Sequence, residues 1–497
     1  MLEDLKKLIK HTSIYGLGIV LSKAIGFLMI PLYTHYLTPS DYGVLELLDL
    51  TITVAGIFIG LGISKSIFRF YYQYKDPLDK REVISTALIF VSAVSFMVIS
   101  IAVLNAPIIS NFVFKSREFS KYLIWMFISL LFSTVASVPE SHIMAQQRST
   151  LFTTIAIVTL VINLSLNILV VAYLKMGVLG IVYVSAFVRA LNTCFLLVLT
   201  VPQVGLKFSL SKLEEMLGYG LPLLPASIGL FTMNFADRFF LSHLSSLSSV
   251  GIYSLGYKFG FMISILIVEP FNRIWQAQLF ELAEKKDAHE EMGRLFTYFG
   301  FVITFAVLGL SVLIKDVIKI VAPQDYWAAY KVVPLIGISY FFRGAYIYVQ
   351  AGILLKRKTK YIGYSVSLAT FLSLAMNYYL IINFDYMGAA ICQLTTSLIM
   401  AALVFWFSTR LFYIGYEFIR IMKLGAVAFG LILIAYIINI EPIAISLAVK
   451  FAIAVSFPLM LVAVGFYSNE EKMKIISIMH NIRKKFESFG LFLDKVR

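Results

Sequence analysis

Residues 82–106 have the sequence EVISTALIFVSAVSFMVISIAVLNA, and no charged side chain follows Glu82 in this run. An α-helix needs about 20 apolar residues to cross the hydrocarbon core of a bilayer. The run is long enough to cross once. It therefore predicts a transmembrane helix, and the rest of the chain repeats the pattern.

Similar apolar runs occupy most of the 497 residues, of which 60% are hydrophobic and 14% charged. A soluble domain is about 45–50% apolar and about 25% charged. The composition therefore predicts an all-α integral membrane protein with about fourteen transmembrane helices. The candidate spans are residues 13–37, 42–71, 82–106, 120–145, 150–174, 177–200, 215–243, 249–281, 294–314, 328–355, 361–383, 386–409, 420–439 and 442–466.

The composition also argues against several functional classes. Cys194 and Cys392 lie in apolar runs and form no spaced motif, so we expect no structural disulfide and no cysteine metal site. The six histidines are scattered, and no nucleotide-binding glycine motif occurs, so we expect no cofactor. The net charge of +14 fits the lysine and arginine excess of cytoplasmic loops, so we expect no nucleic-acid partner.

Lysine and arginine predict the orientation, because they are enriched in cytoplasmic loops. One alternating set of connections is rich in them, with Lys75, Lys80, Arg81, Arg148, Lys207, Lys212, Lys285, Lys286, Lys356, Arg357, Lys358, Lys360 and Arg410. This bias places both termini in the cytoplasm, which requires an even number of spans and favours fourteen. The first run ends near Tyr36 and is too long for a signal peptide, so we expect a retained first span.

The chain also repeats itself. Asn167 in NILVVAYLKMG and Asn377 in NYYLIINFDYMG are 210 residues apart, and Gly43 and Gly251 are 208 apart. Six spans, an even number, separate the matched helices. The repeat therefore predicts two parallel, pseudo-symmetric six-helix halves with a cavity between them. The expected parts are lobes at 1–205 and 206–415, two additional helices at 416–467, and a basic tail at 468–497.

The tail alternates apolar residues such as Ile475 and Phe486 with basic ones such as Lys472 and Arg483. This pattern predicts an amphipathic helix on the anionic inner leaflet. A helix that binds a partner protein is the alternative.

Basic residues interrupt the apolar runs, and a charge at bilayer depth is costly unless it pairs or faces a wet cavity. They predict a positively charged cavity and an anionic cargo. The residues concerned are Lys23, Lys65, Arg69, Arg238, Lys258, Arg273 and Arg343. Of these we expect all but Lys65 to bind the substrate, with Lys23, Arg273 and Arg343 facing one central cavity.

Three of these positions have a simpler interpretation as well. Arg273 follows Glu269 by four residues, so an internal salt bridge is an equal alternative. Lys65 and Arg69 lie near a helix end, where long cationic side chains can reach the headgroups.

Acidic residues within the spans must neutralise some of these cations. We expect Asp49, Glu140, Asp237 and Glu269 to balance charge, and one or two could bind a coupling ion, either H⁺ or Na⁺.

Prolines interrupt helical hydrogen bonding and favour hinges. Pro31 and the pair Pro222 and Pro225 lie in repeat-equivalent spans, so we expect them to bend the first helix of each half.

These features together resemble the polysaccharide transporter family of the multidrug/oligosaccharidyl-lipid/polysaccharide superfamily, the Wzx-like flippases. The resemblance lies in KAIGFLMIPLYTHYLTPSDYGVLEL (23–47), VGIYSLGYKFG (250–260) and ILLKRKTKYIGYS (353–365). It implies a twelve-plus-two helix bundle in a bacterial or archaeal cytoplasmic membrane. The implied activity is movement of undecaprenyl-diphosphate-linked oligosaccharide from the inner to the outer leaflet for polysaccharide biosynthesis. The implied partners are membrane lipids, a polysaccharide polymerase and glycosyltransferases.

Two other transporters remain open, a lipid II flippase and a cation-coupled multidrug exporter of the same superfamily. The exporter ranks lower because it would be expected to have an acidic, cation-poor cavity. A membrane-embedded glycosyltransferase or polymerase would need a long polar loop bearing carboxylates, and no connection here is long enough. We therefore predict a transporter and not an enzyme.

Overall fold

The computed structural model describes residues 26–438 and 440–473, and these two ranges are helical without a β-strand. The helices are α1 (26–36), α2 (Pro39–Gly60), α3 (Ile63–Gln73), α4 (Pro77–Leu104), α5 (Ala106–Phe114), α6 (Ser120–Ala145), α7 (Ser149–Ile168), α8 (Gly177–Val204), α9 (Leu210–Gly220), α10 (Leu224–Leu244), α11 (Leu247–Ile263), α12 (Glu269–Ala283), α13 (Ala288–Val321), α14 (Val332–Val349), α15 (Ala351–Leu355), α16 (Lys360–Thr409), α17 (Phe418–Ile437), α18 (Ile443–Val455) and α19 (Phe457–Ala463).

Helices α2 and α4 begin where short polar residues satisfy free N–H groups of the first turn. The Thr38 hydroxyl accepts a hydrogen bond from the N–H of Asp41, and the Asp41 carboxylate accepts one from the N–H of Thr38. Asp76 accepts from the N–H of Leu78 at 2.9 Å at the start of α4. These caps fix the ends of the apolar runs.

Twelve helices in the described part of the chain are long and apolar enough to cross a membrane. The integral membrane fold predicted from the sequence is confirmed. The 50-residue α16 contains two of the predicted spans, and its helical geometry breaks at Asp385, where φ is 52° and ψ is −136°. Because the first predicted span lies largely outside the described residues, the count of fourteen stays a prediction.

The chain forms two compact units. Unit 1 comprises the residues up to Phe259, together with Val317–Ile336 and Gly363–Met400. Unit 2 comprises Gly260–Asp316, Gly337–Ile362 and the chain from Ala401 onward. The two predicted lobes and the parallel repeat stay predictions.

Within unit 1, the connections predicted to share one side of the membrane lie together. The carboxylate of Asp385 accepts hydrogen bonds from the hydroxyls of Ser245 and Ser249, the latter at 2.8 Å. The Lys115 ammonium donates to the carbonyl of His243 at 2.5 Å. These contacts join connections that the sequence predicts on the same side of the membrane, so they support the predicted alternation of the connections.

Helices α2 and α11 of unit 1 cross with their backbones in contact. A Cβ on Gly43 would lie 2.0 Å from the carbonyl oxygen of Leu247, and a Cβ on Gly251 would lie 1.9 Å from that of Pro39. Each glycine therefore meets the residue four positions before the other glycine. Such reciprocal contacts are typical of a local two-fold relation, and they support the repeat offset of 208 residues at this point.

Unit 2 is held by an aromatic core and by a buried ion pair. The rings of Trp275 and Tyr348 stack with centroids 4.0 Å apart, as do those of Phe271 and Phe299. The Lys450 ammonium on α18 donates to the Asp316 carboxylate on α13 at 2.7 Å. Lys450 therefore fastens α18 to α13.

Beyond α19, residues 469–473 are helical. The rest of the predicted amphipathic tail lies outside the described residues.

Candidate functional site

The ammonium of Lys258 is held at the crossing of α11 and α2. It donates to the Tyr42 hydroxyl at 2.9 Å and forms an ion pair with the Glu46 carboxylate. The close approach at Gly43 brings these two helices near enough for the contacts. The Lys258 side chain is 32% exposed, whereas that of Glu46 is 12% exposed. The sequence-predicted cation is therefore both anchored and accessible.

Arg238 on α10 has the opposite environment. Its guanidinium bonds to the Asp237 carboxylate at 2.7 Å, and the two side chains are 3% and 5% exposed. The rings of Tyr257 and Tyr253 lie 3.9 and 4.8 Å from the guanidinium carbon. The Tyr253 hydroxyl donates to the second oxygen of Asp237. This arrangement encloses the ion pair, although the Nε of Arg238 has no hydrogen-bond partner among the described residues.

Lys65 and Arg69 lie exposed on α3. The guanidinium carbon of Arg69 is 4.6 Å from the centroid of the Tyr219 ring. The ring holds the Arg69 side chain by a cation–π contact, so Arg69 does not depend on a carboxylate partner. It stays available to an anion at the surface of unit 1.

Two other predicted cations belong to unit 2. Arg273 on α12 is exposed and Arg343 on α14 is half-buried, with its guanidinium carbon 5.6 Å from the centroid of the Tyr340 ring. Glu269, at the start of α12, is half-buried. Lys23 lies outside the described residues.

The acidic residues Asp49 and Glu140 both interact with Arg189. Asp49 is exposed on α2, and Arg189 on α8 is within electrostatic reach of both carboxylates. Glu140 accepts a hydrogen bond from the Asn192 amide at 3.5 Å, and Thr159 donates to the Asn192 carbonyl oxygen at 3.3 Å. Helices α6, α7 and α8 carry Glu140, Thr159, Arg189 and Asn192, whereas Asp49 is on α2.

A cavity of about 400 Å³ within unit 1 is lined by Glu140, Thr159, Arg189 and Asn192, together with Asn163 and Ser185, whereas Asp49 is not among its lining residues. A carboxylate near an arginine in such a cavity can bind and release a proton or cation. The geometry is therefore compatible with the charge-balancing role predicted for Asp49 and Glu140. No group of three or more potential metal ligands occurs among the residues that the structure describes.

Two of the three predicted hinge prolines, Pro222 and Pro225, lie at or near irregular helix. Pro222 is within a short 3₁₀ segment, Leu221–Leu223, between α9 and α10, and Pro225 is in the first turn of α10. Pro31 is exposed within α1. The helix is therefore interrupted at the Pro222 and Pro225 pair, whereas a hinge motion stays a prediction.

Sequence reasoning missed the partners of these charges. Tyr42 and Tyr253 contact predicted site residues, and Arg189 is within electrostatic reach of two of them, but none of the three was among the candidates. Tyr42 precedes Glu46 by four residues and so lies on the same helical face, which was an available signal. Arg189 also interrupts an apolar run, at 177–200, but its position near two carboxylates depends on tertiary packing.

Comparison with known proteins gives a family match over most of this region. A family model described as polysaccharide biosynthesis protein matches residues 34–331, more than half of the chain. An uncharacterized membrane protein of Haemophilus influenzae is 22% identical over 349 residues, covering 67% of this chain and 78% of that protein. Lsg locus putative protein 1 of the same species is also 22% identical over 349 residues, covering 68% and 80%.

Solved structures share the fold. The lipid II flippase MurJ in an inward closed conformation has a TM-score of 0.75 at 11% identity, covering 91% of this chain and 98% of that chain. An inward-facing multidrug resistance MATE family transporter of the MOP superfamily has a TM-score of 0.61 at 13% identity, covering 81% and 96%. At these identities the likeness establishes the architecture alone.

Proposed function

The chain belongs to the polysaccharide biosynthesis protein family, and from this premise we propose that it is a flippase for lipid-linked oligosaccharide. Its cargo would be a polyprenyl-diphosphate-linked repeat unit, moved from the inner to the outer leaflet of the cytoplasmic membrane. The fold is that of MOP-superfamily transporters. The family and the fold together favour transport over catalysis.

The observation that carries the proposal is the anchored, accessible Lys258. An ammonium has three donors, and Tyr42 and Glu46 accept from it in the described structure. A phosphate oxygen can take the third. Moving a diphosphate bare through hydrocarbon would be prohibitive, because an unpaired ion loses its hydration there. A cation held at bilayer depth lowers that cost through a charge-assisted hydrogen bond.

The other accessible cations extend the same chemistry. Arg69 in unit 1, and Arg273 and Arg343 in unit 2, each offer a guanidinium that can bind two phosphate oxygens at once. Lys23 is proposed for the same role from the sequence. Buried Arg238 we assign to supporting the helix pair α10 and α11.

Coupling is proposed for the group formed by Asp49, Arg189 and Glu140. Binding of H⁺ or Na⁺ there would change the net charge of unit 1, and bending near Pro222 and Pro225 would alternate the access. Both termini are proposed to be cytoplasmic. Polysaccharide polymerase and glycosyltransferases are the proposed partners that use and supply the cargo.

The decisive experiment compares three cargoes in one preparation. The full chain is reconstituted into phosphatidylcholine vesicles with a fluorescent polyprenyl-diphosphate oligosaccharide, fluorescent lipid II or a cationic dye. Movement of the labelled lipids between leaflets is followed by dithionite quenching, and dye transport by its distribution across the vesicle membrane. We expect flipping of the oligosaccharide lipid.

The other two cargoes, lipid II and the cationic dye, test the two alternative functions. Flipping of lipid II alone would replace the proposal by lipid II transport. Ion-driven export of the dye alone would replace it by multidrug export. Protein-free vesicles are the control.

A further inference from the structure

A second basic pocket lies in unit 1, away from Lys258. Its volume is about 390 Å³, and it lies where α4 begins and α6 and α8 end. Three cations line it, Lys80, Arg81 and Arg148, and no carboxylate is among its lining residues. The pocket therefore carries a charge near +3 that its own lining does not balance.

The nearest carboxylates on α4 are already engaged. Asp79 and Glu82 both accept from the ammonium of Lys212, Asp79 at 2.7 Å. Asp76 caps the first turn of α4 through the N–H of Leu78. The negative charges of this helix start are thus directed to other partners, and the cations stay available to an external anion.

A residue that lines the same pocket has a buried ring nitrogen without a partner in the described chain. His142, which lines it, is only 4% exposed, and its Nδ1 has no hydrogen-bond partner within the described ranges. Gln203 donates to the carbonyl of Leu199 at 2.7 Å, so its amide oxygen accepts from Gln146 at 3.4 Å. The same Gln146 nitrogen lies 2.8 Å from His142 Nε2, which therefore accepts. In neutral histidine the proton is then on Nδ1. An unpaired buried N–H is costly, and an anion in the pocket would satisfy it.

We propose that this pocket binds a phosphate or diphosphate group. Arg148 and Lys80 supply charge-assisted hydrogen bonds, Arg81 adds charge, and His142 supplies a neutral donor. The lysine and arginine distribution predicts that this end of the helices faces the cytoplasm. A lipid-linked diphosphate in the inner leaflet would meet the pocket first, and this identification of the ligand's source rests on the proposed function. Binding of a diphosphate group in the pocket does not depend on the proposed function.

The test measures binding and not transport. The full chain in phosphatidylcholine nanodiscs is titrated with inorganic pyrophosphate, and separately with polyprenyl diphosphate placed in the nanodisc. We expect Arg148→Gln and Lys80→Gln each to raise the dissociation constant of both probes about tenfold, the usual scale for losing one charged hydrogen bond. If the two variants weaken the binding of polyprenyl diphosphate alone, the lipid-linked group is the ligand.

Lys207→Gln is the matched control, because Lys207 is exposed at the same end of unit 1 and does not line the pocket. An equal rise in the dissociation constant for Lys207→Gln would show that the effect is general electrostatic attraction to the surface, and it would refute the proposed site. Failure of the wild type to bind either diphosphate would also overturn it. A chain that binds pyrophosphate here but flips no lipid would refute the transport proposal and leave this site standing.

Discussion

Arg238 and Lys258 are two cations on consecutive helices of unit 1, and each interrupts an apolar run. Arg238 is 2% exposed and lies among Asp237 and two tyrosine rings. Lys258 keeps about a third of its side chain exposed at 32% while bonding to Tyr42 and Glu46. We call Arg238 the enclosed cation, because its neighbours bury it, and Lys258 the presented cation, because part of its side chain stays exposed.

The difference shows that a charge within a membrane helix is not by itself a binding site. An enclosed pair is held by its neighbours and is tolerated in the packing of its helices only as long as both members remain. A presented cation keeps donor capacity for a ligand. The two classes should therefore respond differently to mutation.

The largest effect is expected for Asp237→Ala. It leaves the Arg238 charge buried without its carboxylate, which costs about 3–5 kcal/mol. We expect a strong loss of monodisperse protein after detergent extraction and a lowered melting temperature. The double variant Asp237→Leu with Arg238→Met removes both charges and should recover most of that loss. If Asp237→Ala melts like the wild type, the enclosed pair does not stabilise the fold.

A smaller effect is expected at the crossing of α2 and α11, which holds Lys258. In Gly43→Ala the new methyl group would lie 2.0 Å from the carbonyl oxygen of Leu247, so α2 and α11 must move apart. Overpacking of this kind costs about 1–3 kcal/mol. Thermal unfolding of the purified variant measures it, and Gly251→Ala should lose a similar amount because its contact is reciprocal.

Gly60→Ala is the control for that series. Gly60 ends the same helix, and a Cβ there would meet no atom within 4 Å. The variant should be neutral or slightly more stable, since alanine favours helix. Equal losses at Gly43 and Gly60 would show that close packing at the crossing is not the cause.

The smallest effect concerns Glu471, which lies beyond α19 and pairs with Arg420 at the start of α17. Burial alone would raise the pKa of Glu471, but hydrogen bonds from Arg420, Tyr298 and the N–H of Ser468 hold that pKa below its ordinary value. Its stabilisation is therefore complete above the pKa of the unfolded chain and is lost as the pH falls through the folded pKa.

Melting curves of the wild type and Glu471→Gln between pH 6 and pH 3 measure this contribution. We expect the wild type to be more stable by about 1 kcal/mol at the upper end, with the difference vanishing on acidification. A difference that stays constant over this range would mean that the charge of Glu471 contributes nothing.

The sequence predicts the fold well, because the apolar runs and the polar residues that end them are local signals. Span 120–145 coincides with α6 (Ser120–Ala145). The two predicted spans that meet at Asp385 form one long helix with a break at that residue. Local patterns cannot decide such a break, because the serines that hold Asp385 come from another connection.

The site is less predictable for the same reason. The depth of Arg238 and Lys258 in their runs identifies both as unusual, yet exposure depends on which rings and carboxylates pack around them. Asp237 is next to Arg238 in sequence, but Tyr253 and Tyr257 enclose the pair from the following helix. Glu46 is 212 residues from Lys258. Neither neighbourhood can be derived from one helix alone.

The most direct test of the account replaces the presented cation and leaves the enclosed one intact. Lys258→Gln is reconstituted in vesicles with fluorescent polyprenyl-diphosphate oligosaccharide, beside Lys285→Gln as a control for an exposed cation paired with Glu291. We predict that Lys258→Gln folds normally and flips the lipid at least tenfold more slowly, whereas Lys285→Gln flips it at the wild-type rate. Wild-type flipping by Lys258→Gln would contradict the claim that this cation carries the cargo.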